Sequence, residues 1–552
     1  AFCKNRSAPR IFYQFKKGFT NGSRIVKPFL FFDDNTFVSS NLNKKQMENL
    51  IEVAKILTKR KITRIEILDE NALKNNDSLF ARFYEALITD RISDDEAAAE
   101  ALYGDKTERN NPRYRKLKSR FQRRLYNTLF FIDVNTAAAS NKEQAHFHCH
   151  KEWALIEIML AHDARQAALK QARRTLSTAL KFHLTDIIVE CARLLRKDAA
   201  LREDSKSFNE YHAYAEEYAP KLAAEIKAEE YYQQAFLFYS KTHFKPRDAE
   251  QLNTLMDKII VLSGEHPCPN VQYFKYRVWA LNLEVAYEYE ELLKVCKQAI
   301  EYMQQRRDFF TAQEMSFFFN KQMLAYLHQR QAQAGNQLAN QVLADFYEAG
   351  SDAWYNFKEY HTLLLLHAGN YLRALSIFLQ LSGTPGFGKL EGTRRDKWEL
   401  IEIFLSYLVE AGKLSAEHLN KQLRRSFKEK EEQLLNGNQE QQKSSATITL
   451  HRTVFQMLFL LLRRGQAPLS AKVDELRKLK DYELKKTDYQ RARIFTQMLH
   501  ELEKADFVPT DTRNHEAQWQ QLRGTPFRYR GKVTELEVIP YEKLWLLLRE
   551  QL

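Results

Sequence analysis

Residues 383–389 read GTPGFGK, so Gly383, Gly388 and Lys389 stand at the spacing of a phosphate-binding loop. Such a loop needs glycines to bring backbone N–H groups around the phosphates, a lysine for their charge, and then a hydroxyl to hold magnesium. Leu390 stands where the hydroxyl belongs, and the loop follows an apolar helical segment instead of a buried strand. A plain connection between helices is expected, with no nucleotide. A second cluster is His146, His148, Cys149 and His150, in which His146 and His150 are four apart and face the same way on a helix. One helix rarely supplies a full set of metal ligands, and no distant acidic or cysteine partner has diagnostic spacing. No metal and no cofactor are therefore expected. The chain has no H-E-x-x-H, G-x-S-x-G or G-x-G-x-x-G, and its carboxylates form no identifiable pair. The expectation is a protein that is not an enzyme.

The third candidate is the stretch PRYRKLKSRFQRRLYNTLFF from Pro112. Leu117, Phe121, Leu125 and Leu129 form an apolar stripe at i+4 spacing. Arg113, Arg115, Lys116, Lys118, Arg120, Arg123 and Arg124 fill much of the remaining surface, and no acidic residue intervenes between Glu108 and Asp133. Two helical segments precede it: SLFARFYEALI, after Asn76 and Asp77, and EAAAEALY, which opens at a capping box of Ser93 and Glu96 and closes at Gly104. Three short helices ending in a basic one match the outline of a helix-turn-helix module that would place its last helix on DNA or RNA. The alternative is a solvated basic face.

The elements that carry these residues are mostly long helices. Of 552 residues only 16 are Gly and 12 Pro, so turns are few, while 26 Tyr and 36 Phe can fill the seams between helices. From Trp153 onward apolar residues recur at three- and four-residue spacing, including a tyrosine-rich stretch (Tyr211, Tyr214, Tyr218, Tyr231, Tyr232, Tyr239) that reads as a packed seam. The net charge of +13 arises from 84 Lys and Arg against 71 Asp and Glu, a modest excess that identifies no partner. Five scattered cysteines without a C-x-x-C pair fit a reduced cytoplasm, and no apolar run approaches the roughly 20 residues of a membrane span. The first methionine is Met47, which leaves open whether residues 1–40 belong to the natural protein.

The stretch Trp354 to Leu381 shows how the helices pair. Two apolar segments are separated by Ala368, Gly369 and Asn370; Gly369 suits the left-handed end of the first helix and Asn370 the cap of the second. Tyr371, Ala374, Leu375 and Phe378 fall at i, i+3, i+4 and i+7 on one face. Gly369, Asn370, Tyr371, Ala374, Leu375 and Phe378 together resemble the second half of a tetratricopeptide repeat. Where that family has Leu, Gly and Tyr in its first helix, this chain has His361, Thr362 and Leu365. Related patterns occur at Tyr289, Leu292, Leu293, Cys296 and Ala299 and at Ala332, Gly335, Asn336, Ala339 and Val342, with matched positions 292, 335 and 374 lying 43 and 39 residues apart. These spacings exceed the family's 34-residue period, so the units are stretched.

The resemblance implies an all-α protein, a tetratricopeptide-like superhelical array of antiparallel hairpins (an α-solenoid), with a small N-terminal helical module and a short mixed C-terminal cap. The expected division is a poorly defined segment over 1–43, a small basic helical module over 44–135, repeats over 150–420, a charged and polar linker or insertion over 421–450, further repeat helices over 451–510, and the cap over 511–552. In the cap, KVTELEVI (532–539) alternates like a strand. The resemblance further implies a noncovalent scaffold for a protein or peptide partner, held by aromatic anchors and by Arg or Lys on the concave face, and the cysteine usage adds the expectation of a cytoplasmic location. The alternatives are a nucleic-acid-binding regulator acting through residues 78–131, and an enzyme with an unrecognised site. No membrane partner is expected.

Overall fold

The computed structural model describes residues 79–89, 94–103, 112–129 and 141–552, together with positions 50 and 92. Within the last range 242–245, 385, 416, 418, 420, 437–444, 464–468, 485–488 and 509–512 are outside the description. All described regular elements are helical, with no strand among the described residues and no helix long and apolar enough to cross a membrane. Contacts divide the chain into one unit within residues 1–133 and another within 134–552. The segment 1–43 and the first part of the basic helical module, 44–78, fall outside the described residues except for position 50.

In the first unit α1 (Leu79–Ile88), α2 (Asp95–Tyr103) and α3 (Pro112–Leu129) enclose a small core. Phe83 is fully buried and meets Phe121 with ring centroids 4.8 Å apart, while Tyr114 lies edge-on to Phe83. Ser93 lies outside the described residues. The cap of α2 is its neighbour Asp94, whose Oδ1 accepts the N–H groups of Glu96 and Ala97 at 3.0 and 2.8 Å.

The second unit runs through α4 (Asn141–Ala161), α5 (Arg165–Lys181), α6 (Thr185–Leu201), α7 (Ser205–Tyr239), α8 (Pro246–Glu265), α9 (Pro269–Val285), α10 (Tyr289–Gln304), α11 (Ala312–Gln329), α12 (Ala332–Val342) and α13 (Asp352–Ala368). It continues through α14 (Tyr371–Ser382), α15 (Gly392–Glu410), α16 (Lys421–Leu435), α17 (Ala446–Leu462), α18 (Leu469–Tyr482), α19 (Gln490–Lys504), α20 (Arg513–Gly524) and α21 (Tyr541–Gln551). Helices pack chiefly on their neighbours in sequence, with next-but-one contacts such as α9 on α11, α11 on α13 and α15 on α17. This is how amphipathic helices cover apolar faces that no single hairpin can bury.

One turn recurs between consecutive helices. A residue at positive φ is followed by one whose N–H donates to the carbonyl five residues earlier, closing the first helix by the Schellman arrangement. Gly369 (φ 80°), with Asn370 donating to Leu365, is one instance, and Asp163, His183, Glu203, Tyr287, Arg330, Gly412 and Asp506 lead others. The turns at 287, 330, 369 and 412 are 43, 39 and 43 residues apart. Asn370 holds the N-cap position of α14 but makes no side-chain cap bond.

The residues that carry the hairpin reading are placed as a packed seam. Ala374, Leu375 and Phe378 are buried, each of the larger two contributing about 2–3 kcal/mol of transfer free energy, with Tyr371 half-buried beside them. Gly335 in α12 allows the closest approach. A Cβ there would collide with the Leu364 methyl and come within 3.3 Å of Met323 Sδ. Gly335→Ala is expected to lower stability by up to about 2 kcal/mol, because overpacking costing about 1–3 kcal/mol outweighs a helix-propensity gain of about 1 kcal/mol. Gly264 in α8, where an added Cβ would meet nothing within 4 Å, isolates that gain. Gly264→Ala should raise the urea midpoint while Gly335→Ala lowers it.

Two expected features are corrected. The span 421–450 is not a linker over its first part: 421–435 is helix α16, which buries Leu423, Phe427 and Leu434 at i, i+4 and i+11 against the core. Its charges are engaged too, Lys430 with Glu399 at 3.2 Å and Glu431 with Arg463 at 2.6 Å. The segment 532–539 is not a strand and adds no mixed cap. It contains only a 3₁₀ turn, Val533–Glu535, because its backbone groups bond to helix side chains and no second strand is present among the described residues to pair with.

Residues 525–540 instead lie among the odd-numbered helices from α7 to α19. Tyr239 donates to the carbonyl of Arg530 (3.5 Å), His328 to Tyr529 (2.6 Å), Lys397 to Gly531 (2.9 Å) and His367 to Glu537 (2.8 Å). Thr447 donates to the Thr534 carbonyl at 3.1 Å, and Arg491 to that of Thr525 at 2.6 Å. Buried charges stand beside this segment on successive odd helices with alternating sign: Glu284, Lys321, Glu359 and Lys397. Lys321 pairs with Glu284, and Lys397 reaches both oxygens of Glu359 at 2.8 and 2.9 Å while Tyr529 donates to the same carboxylate.

Candidate functional site

The chemistry-bearing side chains of the second unit gather where α4 begins. Ala145, Cys149 and Ile156 turn one face of α4 into the core, which leaves His146 and His150, one position round the helix, directed at the start of α6. Asp186 stands there in the first turn of α6, where the helix N-terminus favours a carboxylate. His150 Nε2 is 3.1 Å and His146 Nε2 3.6 Å from Asp186 Oδ2, and the two Nε2 atoms are 3.0 Å apart. Burial pushes the Asp186 carboxyl up, but hydrogen bonds from His146 and from the Ile187 N–H, with the two imidazoles beside it, bring it below its ordinary value.

His146 and Asp186 line a cavity of about 610 Å³ bounded by α4, α6, α7 and the starts of α9 and α11. Its wall carries Glu143, Asp186, Glu225, Glu229 and Glu314 against the single lysine Lys142. Burial lowers Lys142 to about 8 despite Glu225, Glu314, Asp186 and Glu143, and its ammonium lies over the Phe309 ring. Glu225 is raised by burial and accepts a hydrogen bond from Thr185 at 2.5 Å. Cys149 is pushed up to about 11 by burial, so its thiol stays protonated near neutral pH. The cavity can therefore receive a cationic group or ion on its carboxylates and imidazoles.

Sequence reasoning placed His146 and His150 together but could not supply Asp186, which lies on another helix. Among the 383–389 residues, Phe387 packs its ring on Phe378 and Trp398, and Gly386 faces the Tyr355 hydroxyl, so this is a packed connection between α14 and α15. The basic residues of α3 divide. Arg113, Arg115, Lys116, Arg120 and Arg123 are exposed, whereas Lys118 pairs with Asp95 at 2.7 Å and Arg124 lies over Phe80. Asp95 also accepts from Tyr114, so part of this basic face is tied to α2. The buried charges Glu284, Lys321, Glu359, Lys397 and Arg491 were missed. Their signal is a lone charge inside an apolar helical run, as in FFFNKQMLAYL around Lys321.

Comparison of the chain with protein-family models, with curated proteins and with solved structures returns no match.

Proposed function

We propose that the protein is a noncovalent scaffold that binds a protein or peptide partner through a tetratricopeptide-like helical array. The observation that supports this reading is intramolecular. Side chains on six odd-numbered helices already hold an irregular segment of the same chain, residues 525–540, by bonding to its backbone carbonyls. A surface that recognises one peptide backbone this way has the chemistry to recognise another. That inner surface is filled, so the cavity beside α4 is the place for a partner. Its five carboxylates against one lysine reverse the expected polarity and favour a basic segment. The test is a display library of short peptides panned against the full chain, with bound positions mapped by hydrogen exchange. Enrichment of Lys- and Arg-bearing peptides that protect α4, α6 and α7 is the expected outcome. Saturable binding absent at about 100 μM peptide, or protection elsewhere, overturns the reading.

A second reading rests on α3, whose exposed Arg113, Arg115, Lys116, Arg120 and Arg123 suit a phosphate backbone. On this reading the Arg120→Glu, Arg123→Glu, Arg124→Glu variant loses binding to duplex DNA or RNA, and wild-type affinity falls steeply between 50 and 200 mM salt, by about tenfold or more. Salt-independent or absent binding by the wild type removes it.

A further inference from the structure

We propose that His146, His150 and Asp186 form a binding site for a divalent transition cation of the zinc class. The argument starts from protons. Nε2 of both imidazoles and Oδ2 of Asp186 lie 3.0, 3.1 and 3.6 Å from one another, and the 3.0 Å contact between the nitrogens is a hydrogen bond only if one of them presents a lone pair. One proton satisfies one contact and leaves two lone pairs aimed at the same place. A cation satisfies all three.

The dimensions agree. A tetrahedral ion about 2.0–2.1 Å from each ligand atom sets neighbouring ligand atoms about 3.3 Å apart. The three separations here are 3.0, 3.1 and 3.6 Å. Two imidazoles and one carboxylate suit zinc, iron, copper or nickel and disfavour calcium and magnesium, which prefer all-oxygen shells. Three protein ligands leave a fourth position, as in zinc sites that exchange water or bind a substrate atom. His146 and Asp186 line the 610 Å³ cavity while His150 stands at its margin, so the fourth ligand reaches the ion from the cavity side. Side-chain exposure of 49, 48 and 38% for His146, His150 and Asp186 gives the ion a route in from solvent. Two neighbouring ligand-type side chains on α4 are otherwise engaged, His148 with Glu152 at 3.1 Å and Cys149 in the core. This proposal does not rest on the scaffold reading, since the three ligands come from the chain itself.

The experiment uses tag-free full chain stripped with chelator. After dialysis against Zn²⁺, elemental analysis should find one zinc per chain, and Co²⁺ should give the intense visible bands of four-coordination. His150→Gln and Asp186→Asn should each weaken Zn²⁺ binding by more than about 100-fold, beyond the loss typical of an outer-shell change. His148→Gln should leave it unchanged. Far-UV circular dichroism establishes that each variant is folded, and Zn²⁺ should raise the thermal midpoint of the wild type with rising concentration. Sub-stoichiometric zinc in the wild type, a thermal midpoint indifferent to Zn²⁺, or stoichiometric binding that survives both ligand variants overturns the proposal.

Discussion

Replacing Arg491 by leucine is expected to be the most damaging single change in the second unit, lowering stability by about 3–5 kcal/mol. The guanidinium is buried and uses every N–H it has: Nε and one terminal nitrogen on Glu537 at 2.6 and 3.1 Å, the same nitrogen on Glu542 at 2.7 Å, and the other on the carbonyls of Leu522 and Thr525. The pair itself need add little, since desolvating an arginine and a glutamate offsets most of their attraction. What costs is the remainder after truncation, two carboxylates facing each other in the interior with two carbonyls lacking a donor. Set against a total stability of about 5–15 kcal/mol, that remainder leaves a marginal fold. A Glu537→Leu change added to Arg491→Leu should recover part of the loss. Lys413→Ala, which removes an exposed pair with Glu550, should cost about 0–1 kcal/mol. Urea midpoints of the three proteins check the ordering, and equal effects from Arg491 and Lys413 would refute the account.

Acidification should destabilise the second unit between pH 6.5 and about 4. Four histidines are held neutral inside it: burial brings His328 and His451 from 6.5 to about 4, and His361 and His367 to about 3. Their bonds define the neutral form. His451 Nδ1 donates to the Thr447 carbonyl at 2.8 Å while its Nε2 accepts the Val538 N–H, so a second proton there would face a donor. Because the folded-state values lie below the unfolded one, the unfolded chain binds more protons throughout this window. Stability is full above pH 6.5 and falls as pH drops, by about 2 kcal/mol per histidine at pH 5. Glu535 and Glu537, raised by burial, contribute with the opposite sign, so the net loss is smaller than the histidine sum. A urea midpoint flat from pH 7 to pH 5 would show these imidazoles to be solvated.

Helices were the readable part of this chain because three- and four-residue apolar spacing is local. The Gly369 turn could be read because glycine announces a left-handed backbone. The same turn at Asp163, His183, Glu203, Tyr287 and Arg330 could not, since Asp and His signal it only weakly, Glu, Tyr and Arg do not, and the packed helices on either side impose the conformation. The charge density of 421–435 hid three core residues on one face of α16. In 532–539 the alternation misled because Glu535 and Glu537 point into the protein, neutralised there by Arg530 and Arg491. Of the candidate metal ligands, two were visible at i, i+4. The third depended on which helix packs against α4, and that is a property of the tertiary structure alone.

The placement of residues 525–540 also bears on how the chain reaches its native state. Helices that pack on their sequence neighbours normally fold from contacts close in sequence and can begin before synthesis ends. Here hydrogen bonds join residues 170, 201 and 291 positions apart, as His367 to Glu537, His328 to Tyr529 and Tyr239 to Arg530. Such distant closures slow folding through the entropy of the intervening loop. A nascent chain that has completed α7 through α19 still carries Glu284, Lys321, Glu359 and Lys397 without the segment that covers them. Residues 525–540 must leave the ribosome before the interior can close, so a stop ahead of residue 525 would yield an unfinished protein.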